Sequence, residues 1–317
     1  MTLKELYRKA VEVGMDNDPR GKDLVQKDLE QRKKDYEKLD ADEKEFFDAE
    51  SLSNPYADSR ILNGTGDEEV SSALVGVDME VGEILLALAL RQRGEDVDLI
   101  LAHHPQGRSL ANLYQVMGMQ ADIQARFGVS ISMAESLLEK RVSDVEKRLM
   151  PTNHTRTVDA ARLLGIPFMN LHTPSDNMVA SYLQKTFDEQ KPYTVGDILD
   201  ILRQIPEYRQ AAGNGAGPKV IQGSTKHKAG KVFVDMTGGT EGPKEIFAGI
   251  AQSGINTVVG MHFSEDHRKE AEKHHLNIVI AGHISSDNLG LNLLLDRVIP
   301  GGFKVLGCSG FTRVSRA

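Results

Sequence analysis

Two adjacent histidines follow an apolar run in the segment from Asp98 to Pro105. The residues Leu-Ile-Leu-Ala before the histidines predict a buried strand, and the proline ends it. Ligand sites in open α/β sheets lie at the carboxyl ends of strands, where His103 and His104 would both face one crevice. The alternative is that they are two polar residues of an ordinary loop. Which is correct depends on the residues that other strand ends carry.

Two further predicted strand ends carry a histidine and an aspartate four residues apart. The first pair is His172 and Asp176, and the second is His283 and Asp287. At a strand-to-helix turn this spacing places both side chains on one face, although a single His-x-x-x-Asp is more often a capped helix start. Imidazole and carboxylate together suit Zn, Mn, Fe or Ni. The convergence of three such strand ends predicts a site for two divalent metal ions.

Few other residues of the chain are candidates for chemistry. His262 follows a predicted strand and is a second-tier site residue, whereas the remaining histidines lie in charged segments or have no partner in the sequence. Cys308 is the only cysteine, which excludes an internal disulfide and a thiolate metal cluster. No nucleophile elbow of the form Gly-x-Ser-x-Gly occurs. Any metal must therefore be held by His, Asp and Glu.

The strands that carry these residues alternate with helices. Strands are predicted at 72–77, 98–102, 166–172, 231–236, 256–261 and 277–281, and helices between them include 81–91, 244–253 and 285–297. Such alternation predicts parallel pairing with right-handed crossovers. The expected fold class is α/β, with two similar lobes of mixed or parallel sheet flanked by helices. No clear residue-level repeat relates the two halves.

Two helical segments lie outside this alternation. Residues 1–58 carry a sparse apolar stripe on a charged background, which predicts a helical N-terminal arm packed on the body or on another subunit. Residues from about 109 to 150 are predicted to be helical almost throughout and form an insertion. The predicted domains are the arm at 1–58, a first α/β lobe at 59–190, an interlobe connection at 191–218, and a second α/β lobe with the tail at 219–317.

The composition is that of an ordinary globular protein. Of the 317 residues, 26% are charged and 40% are hydrophobic, and the formal net charge is −8. The negative charge argues against nucleic acid and anionic membrane surfaces as general partners. No apolar run is long enough to span a membrane, and the charged start is unlike a secretory signal. A cytoplasmic protein with a small-molecule substrate is expected.

These strand-end motifs resemble the NGG-one-interacting factor three family, whose members are often described as GTP cyclohydrolase I type 2 homologues. The resemblance covers about residues 59–300 and includes Asp78, which ends the first predicted strand. It implies a two-lobed α/β fold with a dinuclear metal site in the cleft between the lobes, and assembly as a hexamer. The ligands that it implies are His103, His104, Asp176, His283 and Asp287, with His172 close by.

The chain departs from the family pattern at several places. Asp287 stands where the family usually has Glu, so this shorter ligand must lie closer or bind through water. The segment between His104 and His172 is longer than usual, and its helices could cover the cleft and select the substrate. Residues 1–58 look like an addition. The larger inserted domain of some family members is expected to be absent, because the stretch between the lobes is short.

Two functional hypotheses follow from the predicted site. In the first, the protein is a metal-dependent hydrolase of a small polar or nucleotide-like substrate, in which the ions activate water and His172 or His262 moves the proton. In the second, it is a non-catalytic metal carrier, sensor or regulatory assembly, which the acidic arm and the expected homo-oligomer favour. Turnover that chelation abolishes and added metal restores would favour the first. The sequence leaves the metal and the substrate open.

Overall fold

The computed structural model describes residues 1–316 of the chain. It begins with α1 (Leu3–Asp16), α2 (Lys22–Lys38), α3 (Ala41–Phe46) and a 3₁₀ helix, Ala49–Leu52. A capping box formed by Asp40 and Glu43 begins α3. α1 buries an apolar face that includes Leu3, Leu6 and Ala10. The segment predicted to form the arm is therefore helical, and its first helix is part of the protein core.

The next elements build the first sheet and its helices. In chain order they are β1 (Arg60–Asn63), β2 (Ser72–Gly76), α4 (Val81–Gln92), β3 (Leu99–Ala102), α5 (Gly107–Ala111), a 3₁₀ helix (Leu113–Gly118), α6 (Met119–Arg126), α7 (Ile131–Leu149), α8 (Arg156–Leu163), β4 (Phe168–Asn170) and α9 (Thr173–Gln190). The predicted helical insertion corresponds to α5 through α7. Gly128 lies between α6 and α7, where its φ is +102°.

The remaining elements build the second sheet and the tail. They are α10 (Val195–Gln204), α11 (Pro206–Gly213), β5 (Lys219–Gln222), β6 (Lys231–Asp235), α12 (Ile246–Gln252), β7 (Ile255–Gly260), α13 (Glu265–Lys273), β8 (Asn277–Ile280), α14 (His283–Val298) and β9 (Lys304–Cys308). Thr194 and Asp197 form a capping box at the start of α10. None of the helices within residues 1–316 is long and apolar enough to cross a membrane.

Both sheets have the same strand order. The first is ordered β1-β4-β3-β2-β9 and the second β5-β8-β7-β6. In each sheet the other strands pair in parallel, while one edge strand, β1 or β5, is antiparallel. The chain thus contains a topological repeat, in which β3 corresponds to β7 and β4 to β8. The predicted α/β fold with two mixed sheets flanked by helices is confirmed.

Three strands and one helix are not evident in the sequence. β1, β5 and β9 are four or five residues long and only partly buried, so the apolar pattern that identifies a strand is weak in them. α11 runs into the segment expected to be a simple connection. β9 comes from the C-terminal tail and pairs with β2, so the end of the chain joins the first sheet. The predicted lobe boundaries stay predictions.

The sheets and helices form alternating layers. α9 and α14 lie between the two sheets, and α1 packs beside them against the first sheet. α4 and α8 cover the outer face of the first sheet, while α6, α7, α12 and α13 cover that of the second. α9 and α14 begin just after β4 and β8. Their first turns therefore lie at the carboxyl ends of strands from both sheets, where α/β folds place ligand sites.

Candidate metal centre

His103 and His104 directly follow β3. Their backbone N–H groups donate to the carbonyl oxygens of Gly76 and Val77 at 2.9 and 3.0 Å, which extends the ladder between β3 and β2. The two rings lie near each other, with centroids 5.2 Å apart. Both Nε2 atoms approach the carboxylate of Asp287, at 3.4 and 3.5 Å. The structure therefore brings both histidines to one crevice.

His172 and Asp176 lie at the start of α9. β4 ends at Asn170, so His172 is the N-cap residue of the helix rather than the last residue of the strand. Its Nε2 lies 3.7 Å from Oδ2 of Asp176, while Oδ1 of Asp176 lies 3.4 Å from Nε2 of His103. This pair is thus adjacent to the histidines that follow β3.

His283 and Asp287 occupy the corresponding place at the start of α14. Nε2 of His283 lies 3.5 Å from Oδ2 of Asp287. The two oxygens of Asp287 face different histidines, because Oδ1 faces His103 while Oδ2 faces His104 and His283. Asp287 is only 1% exposed. It is the residue at which the groups from the two sheets meet.

Close packing of α9 on α14 brings the two aspartates together. Gly290 lies one turn beyond Asp287, and a Cβ atom at this position would lie 2.4 Å from the carbonyl oxygen of Ser175. Ser175 immediately precedes Asp176. Any side chain at position 290 would push the helices apart, so glycine permits the close approach.

Four atoms of this cluster have no hydrogen-bond partner among the described residues. They are Nε2 of His103, Oδ1 of Asp176 and both carboxylate oxygens of Asp287. Buried polar atoms are nearly always paired, and an unpaired buried carboxylate is costly. A divalent cation would satisfy all four atoms, and imidazole and carboxylate are suitable ligands. Three overlapping groups of such side chains have ligand atoms within 4.8 Å of one another, so the donor set fits a metal ion.

Hydrogen bonds to the far side of the ring orient three of the histidines. The Nδ1 partners are the carbonyl of Leu171 for His103 at 3.2 Å, the carboxylate of Asp78 for His104 at 2.6 Å, and the carboxylate of Asp58 for His172 at 2.8 Å. An acceptor at Nδ1 keeps the proton on that nitrogen and leaves Nε2 free to bind a cation. This arrangement is typical of metal-binding histidines.

Asp58 is a site residue that the sequence does not single out. It lies at the end of the N-terminal arm, is fully buried, and also accepts a hydrogen bond from the hydroxyl of Thr173 at 2.6 Å. Burial raises the pKa of its carboxyl, but the bonds from His172 and Thr173 outweigh burial and lower the pKa below its usual value. A single aspartate in a loop has no periodicity or spacing that would identify this role.

The cluster has a strong preference for positive charge. Burial by itself lowers the pKa of His103, but the carboxylates of Asp287 and Asp176 raise that pKa to about 10. Burial raises the pKa of Asp287, but the neighbouring histidines hold it well below its usual value. Without a metal, a proton on His103 therefore provides the positive charge. Metal binding must displace this proton.

His262 follows β7 at the position that His104 has after β3. Its Nδ1 lies 2.8 Å from Oε1 of Glu241, and its ring centroid lies 4.8 Å from that of His283. The hydrogen bond with Glu241 raises the pKa of His262 despite partial burial. With His283 and Asp287 it lines a cavity of about 420 Å³. The structure thus places His262 beside the ligand cluster and not within it.

The other residues considered from the sequence lie away from this cluster. Nδ1 of His227 lies 2.9 Å from the side chain of Asn277, and Nε2 of His274 lies 3.3 Å from Glu270 on the surface of α13. Cys308 lies in β9 with its Sγ 3.7 Å from the sulfur of Met79. These contacts are structural.

The chain resembles solved structures of the NIF3 superfamily. A NIF3 superfamily protein from Sphaerobacter thermophilus has a TM-score of 0.69 and 27% identity over 80% of this chain and 91% of that one. Reduced HcgD from Methanocaldococcus jannaschii gives 0.48 and 13% over 78% and 87%, and a Bacillus cereus protein related to NIF3 gives 0.41 and 12% over 79% and 89%. No protein-family model and no curated protein matches the chain. The family resemblance predicted from the strand-end motifs is confirmed by the likeness to the Sphaerobacter thermophilus protein.

Proposed function

We propose that this protein is a metal-dependent hydrolase that holds two divalent ions in the cleft between its sheets. The main support is the cluster of unpaired imidazole and carboxylate atoms at three strand ends. When bound, the ions would supply a nucleophile at neutral pH and polarise the group under attack. The chain is also similar to a NIF3 superfamily protein, and the family resemblance implies a dinuclear site in the cleft.

Asp287 would contribute to both sets of ligands, since its two oxygens face different histidines. One ion would be held by His103, His172, Asp176 and Oδ1 of Asp287, and the other by His104, His283 and Oδ2 of Asp287. The second set has only three protein groups, which leaves a position for water or substrate. The close approach at Gly290 brings the helices that carry Asp176 and Asp287 together, which supports direct binding by Asp287.

We assign different roles to the two residues expected to move protons. His172 suits a ligand better than an acid–base group, because Asp58 holds its Nδ1 and its Nε2 faces Asp176. His262 is proposed to transfer the proton. Glu241 holds its Nδ1, which leaves Nε2 to accept or donate a proton at the cavity.

The remaining parts of the proposal concern substrate and assembly. The substrate is proposed to be a small polar or nucleotide-like molecule, since a cavity of about 420 Å³ is within the usual range for small ligands. The protein is proposed to be a cytoplasmic homo-oligomer, with a hexamer implied by the family resemblance. Light scattering on the purified protein measures this assembly directly.

Metal analysis paired with a hydrolase screen tests the function. We expect about two metal equivalents per chain, and phosphatase, amidase or nucleotide-ring hydrolysis that chelation abolishes and added metal restores. Freely exchangeable metal with no saturable turnover would support the carrier hypothesis instead.

A substitution separates the role of His262 from metal binding. His262→Gln should keep the full metal content but lower kcat by about 10²–10⁴-fold, the usual contribution of general acid–base catalysis. His154→Gln, which lies outside the cavity, is the control and should match the wild type. An unchanged kcat in His262→Gln would remove this residue from the mechanism.

A further inference from the structure

One face of α7 borders the cavity beside the metal cluster. Arg141, Val145, Arg148 and Leu149 line the cavity, and their spacing of three or four residues places them on the same side of the helix. α7 belongs to the helical insertion within the first half of the chain. The insertion therefore adds two positive charges to a cavity that is otherwise built at the ends of the two sheets.

Both arginines retain hydrogen-bonding capacity. Arg141 donates from Nε to the carbonyl oxygen of Glu241 at 2.9 Å, and its two terminal nitrogens have no bonded partner within residues 1–316. Arg148 forms neither a hydrogen bond nor an ion pair with any described residue. The planar guanidinium has five N–H donors that fit the oxygens of phosphate or carboxylate. Most of these donors are available to a ligand.

The charge of the metal-loaded cavity would favour an anion. Two divalent ions carry more positive charge than the two aspartates of the cluster neutralise, and Arg141 and Arg148 add to it. Glu241 and Asp235 also line the cavity and reduce this charge. The carboxylate of Glu241 is bonded to His262 and forms no ion pair with either arginine among the described residues, although the charge of Arg141 helps to lower its pKa. The resulting field would draw an anionic molecule into the cavity.

Much of the lining of this cavity is apolar. It includes Leu110, Leu113, Leu149, Ile246, Phe247 and Phe263. An apolar wall with a few charged groups at its edges binds a molecule with an apolar body and orients it through its polar end. We infer that Arg141 and Arg148 bind the oxyanion of the substrate, which is an organic phosphate or carboxylate with an apolar part. The inference rests on the proposed hydrolase function for its catalytic meaning.

Binding of phenyl phosphate to the metal-loaded full-length protein, measured by calorimetry, tests this inference. Arg141→Gln and Arg148→Gln should each weaken binding about tenfold or more, because each removes charge-assisted hydrogen bonds. Lys140→Gln and Lys147→Gln are matched controls, since each removes the same charge from an exposed neighbouring position of α7. The controls should change binding by less than about twofold, and metal content should be the same in all four variants.

Two related compounds identify the anion. Benzoate that binds more tightly than phenyl phosphate, with the same dependence on the arginines, would indicate a carboxylate substrate, and the reverse order would indicate a phosphate. Phenol lacks the anion at neutral pH and should bind much more weakly. Equal binding of phenol, or equal losses in the arginine variants and the lysine controls, would overturn the inference.

The same measurements distinguish this inference from the proposed hydrolase. If the purified protein binds no metal but still binds phenyl phosphate through the two arginines, the anion site remains and the hydrolase is refuted. Metal-dependent turnover together with unchanged binding in both arginine variants would refute the anion site and leave the hydrolase in place.

Discussion

The two halves of the metal centre occupy corresponding places in the two sheets, but one is closed and the other is open. On the first sheet, the side chains of His103, His172 and Asp176 are 1%, 8% and 6% exposed, and that of His104 is 23% exposed. On the second, those of His283 and His262 are 40% and 46% exposed. The same strand order thus supports a buried floor on one side and the wall of an open cavity on the other.

The difference arises from the segments added to each half. The N-terminal arm covers the first half, where α1 packs against α9 and the hydroxyl of Ser59 accepts a hydrogen bond from the backbone N–H of His172 at 2.9 Å. The inserted helix α7 instead lines the far side of the cavity that borders the second half. The sheets therefore place the ligands, and the added helices determine which of them solvent and substrate reach.

Asp287→Asn should have the largest effect, because this residue serves both halves. The substitution weakens one ligand of each proposed ion, so metal content should fall from about two equivalents to below one, and turnover should fall about a thousandfold or more. Elemental analysis and the hydrolase assay measure the two effects. Asp176→Asn should lose only one ion. Equal metal loss in the two variants would show that Asp287 does not contribute to both sets of ligands.

The strand-end ligands could be predicted from the sequence because their signals are local. An apolar run that ends in His103 and His104, and a histidine four residues before an aspartate, are recognisable without knowledge of any distant contact. The same is true of the capping boxes at Asp40 and Thr194, which fix two helix starts. Local patterns therefore predict the fold class and identify the main candidate ligands.

Features that depend on distant contacts could not be predicted in this way. Asp58 and His172 form a hydrogen bond although they are 114 positions apart in the chain, and the sequence around either residue does not indicate the other as its partner. The repeat of strand order is visible only through pairing, because the apolar side chains that fill the two sheets differ. The short edge strands β1, β5 and β9 are stabilised by the neighbours they pair with more than by their own pattern.

Two carboxylates, one in each half, form a hydrogen bond with a histidine ring. Substituting them tests whether the closed half binds metal and the open half supports turnover. Asp58→Asn should weaken metal binding about 10–100-fold, because an amide holds His172 less firmly in the required tautomer. Glu241→Gln should leave metal affinity unchanged and lower kcat about tenfold through His262. Competition with a chelating dye measures the affinity. Weaker metal binding in Glu241→Gln would contradict the division between the halves.

Gly290→Ala tests how the halves are held together. The added methyl group would meet the carbonyl of Ser175 at 2.4 Å, and overpacking of this kind costs about 1–3 kcal/mol. We expect a lower free energy of unfolding in denaturant titration of the metal-free protein, together with weaker metal binding. Gly82→Ala in α4 is the control, since a Cβ atom there has no neighbour within 4 Å. A Gly290→Ala variant as stable as the control would show that the helices can separate without cost.

The pH dependence of stability tests the role of Asp235 in the open half. Its substitution should give the smallest effect. It ends β6 and lines the cavity, and burial, followed by the charge of Glu241, raises its pKa from 3.8 to about 6. A group with a raised pKa in the folded protein contributes stability below its unfolded pKa, and this contribution is lost as the pH rises through about 6. The ionised carboxylate therefore destabilises the metal-free protein at neutral pH.

Asp235→Asn should remove this destabilisation. In chelated protein, the gain in free energy of unfolding should be small at about pH 4.5 and reach about 1–2 kcal/mol above about pH 6.5, since partial exposure reduces the roughly 3 kcal/mol that the full pKa change would give. Bound metal should shrink the gain, because nearby cations stabilise the carboxylate. A gain that does not vary with pH would assign the effect to packing. A gain in stability that depends on pH would show that the carboxylate of Asp235 is an unpaired charge in the open half. In the closed half, by contrast, Asp58 and Asp176 both face histidines.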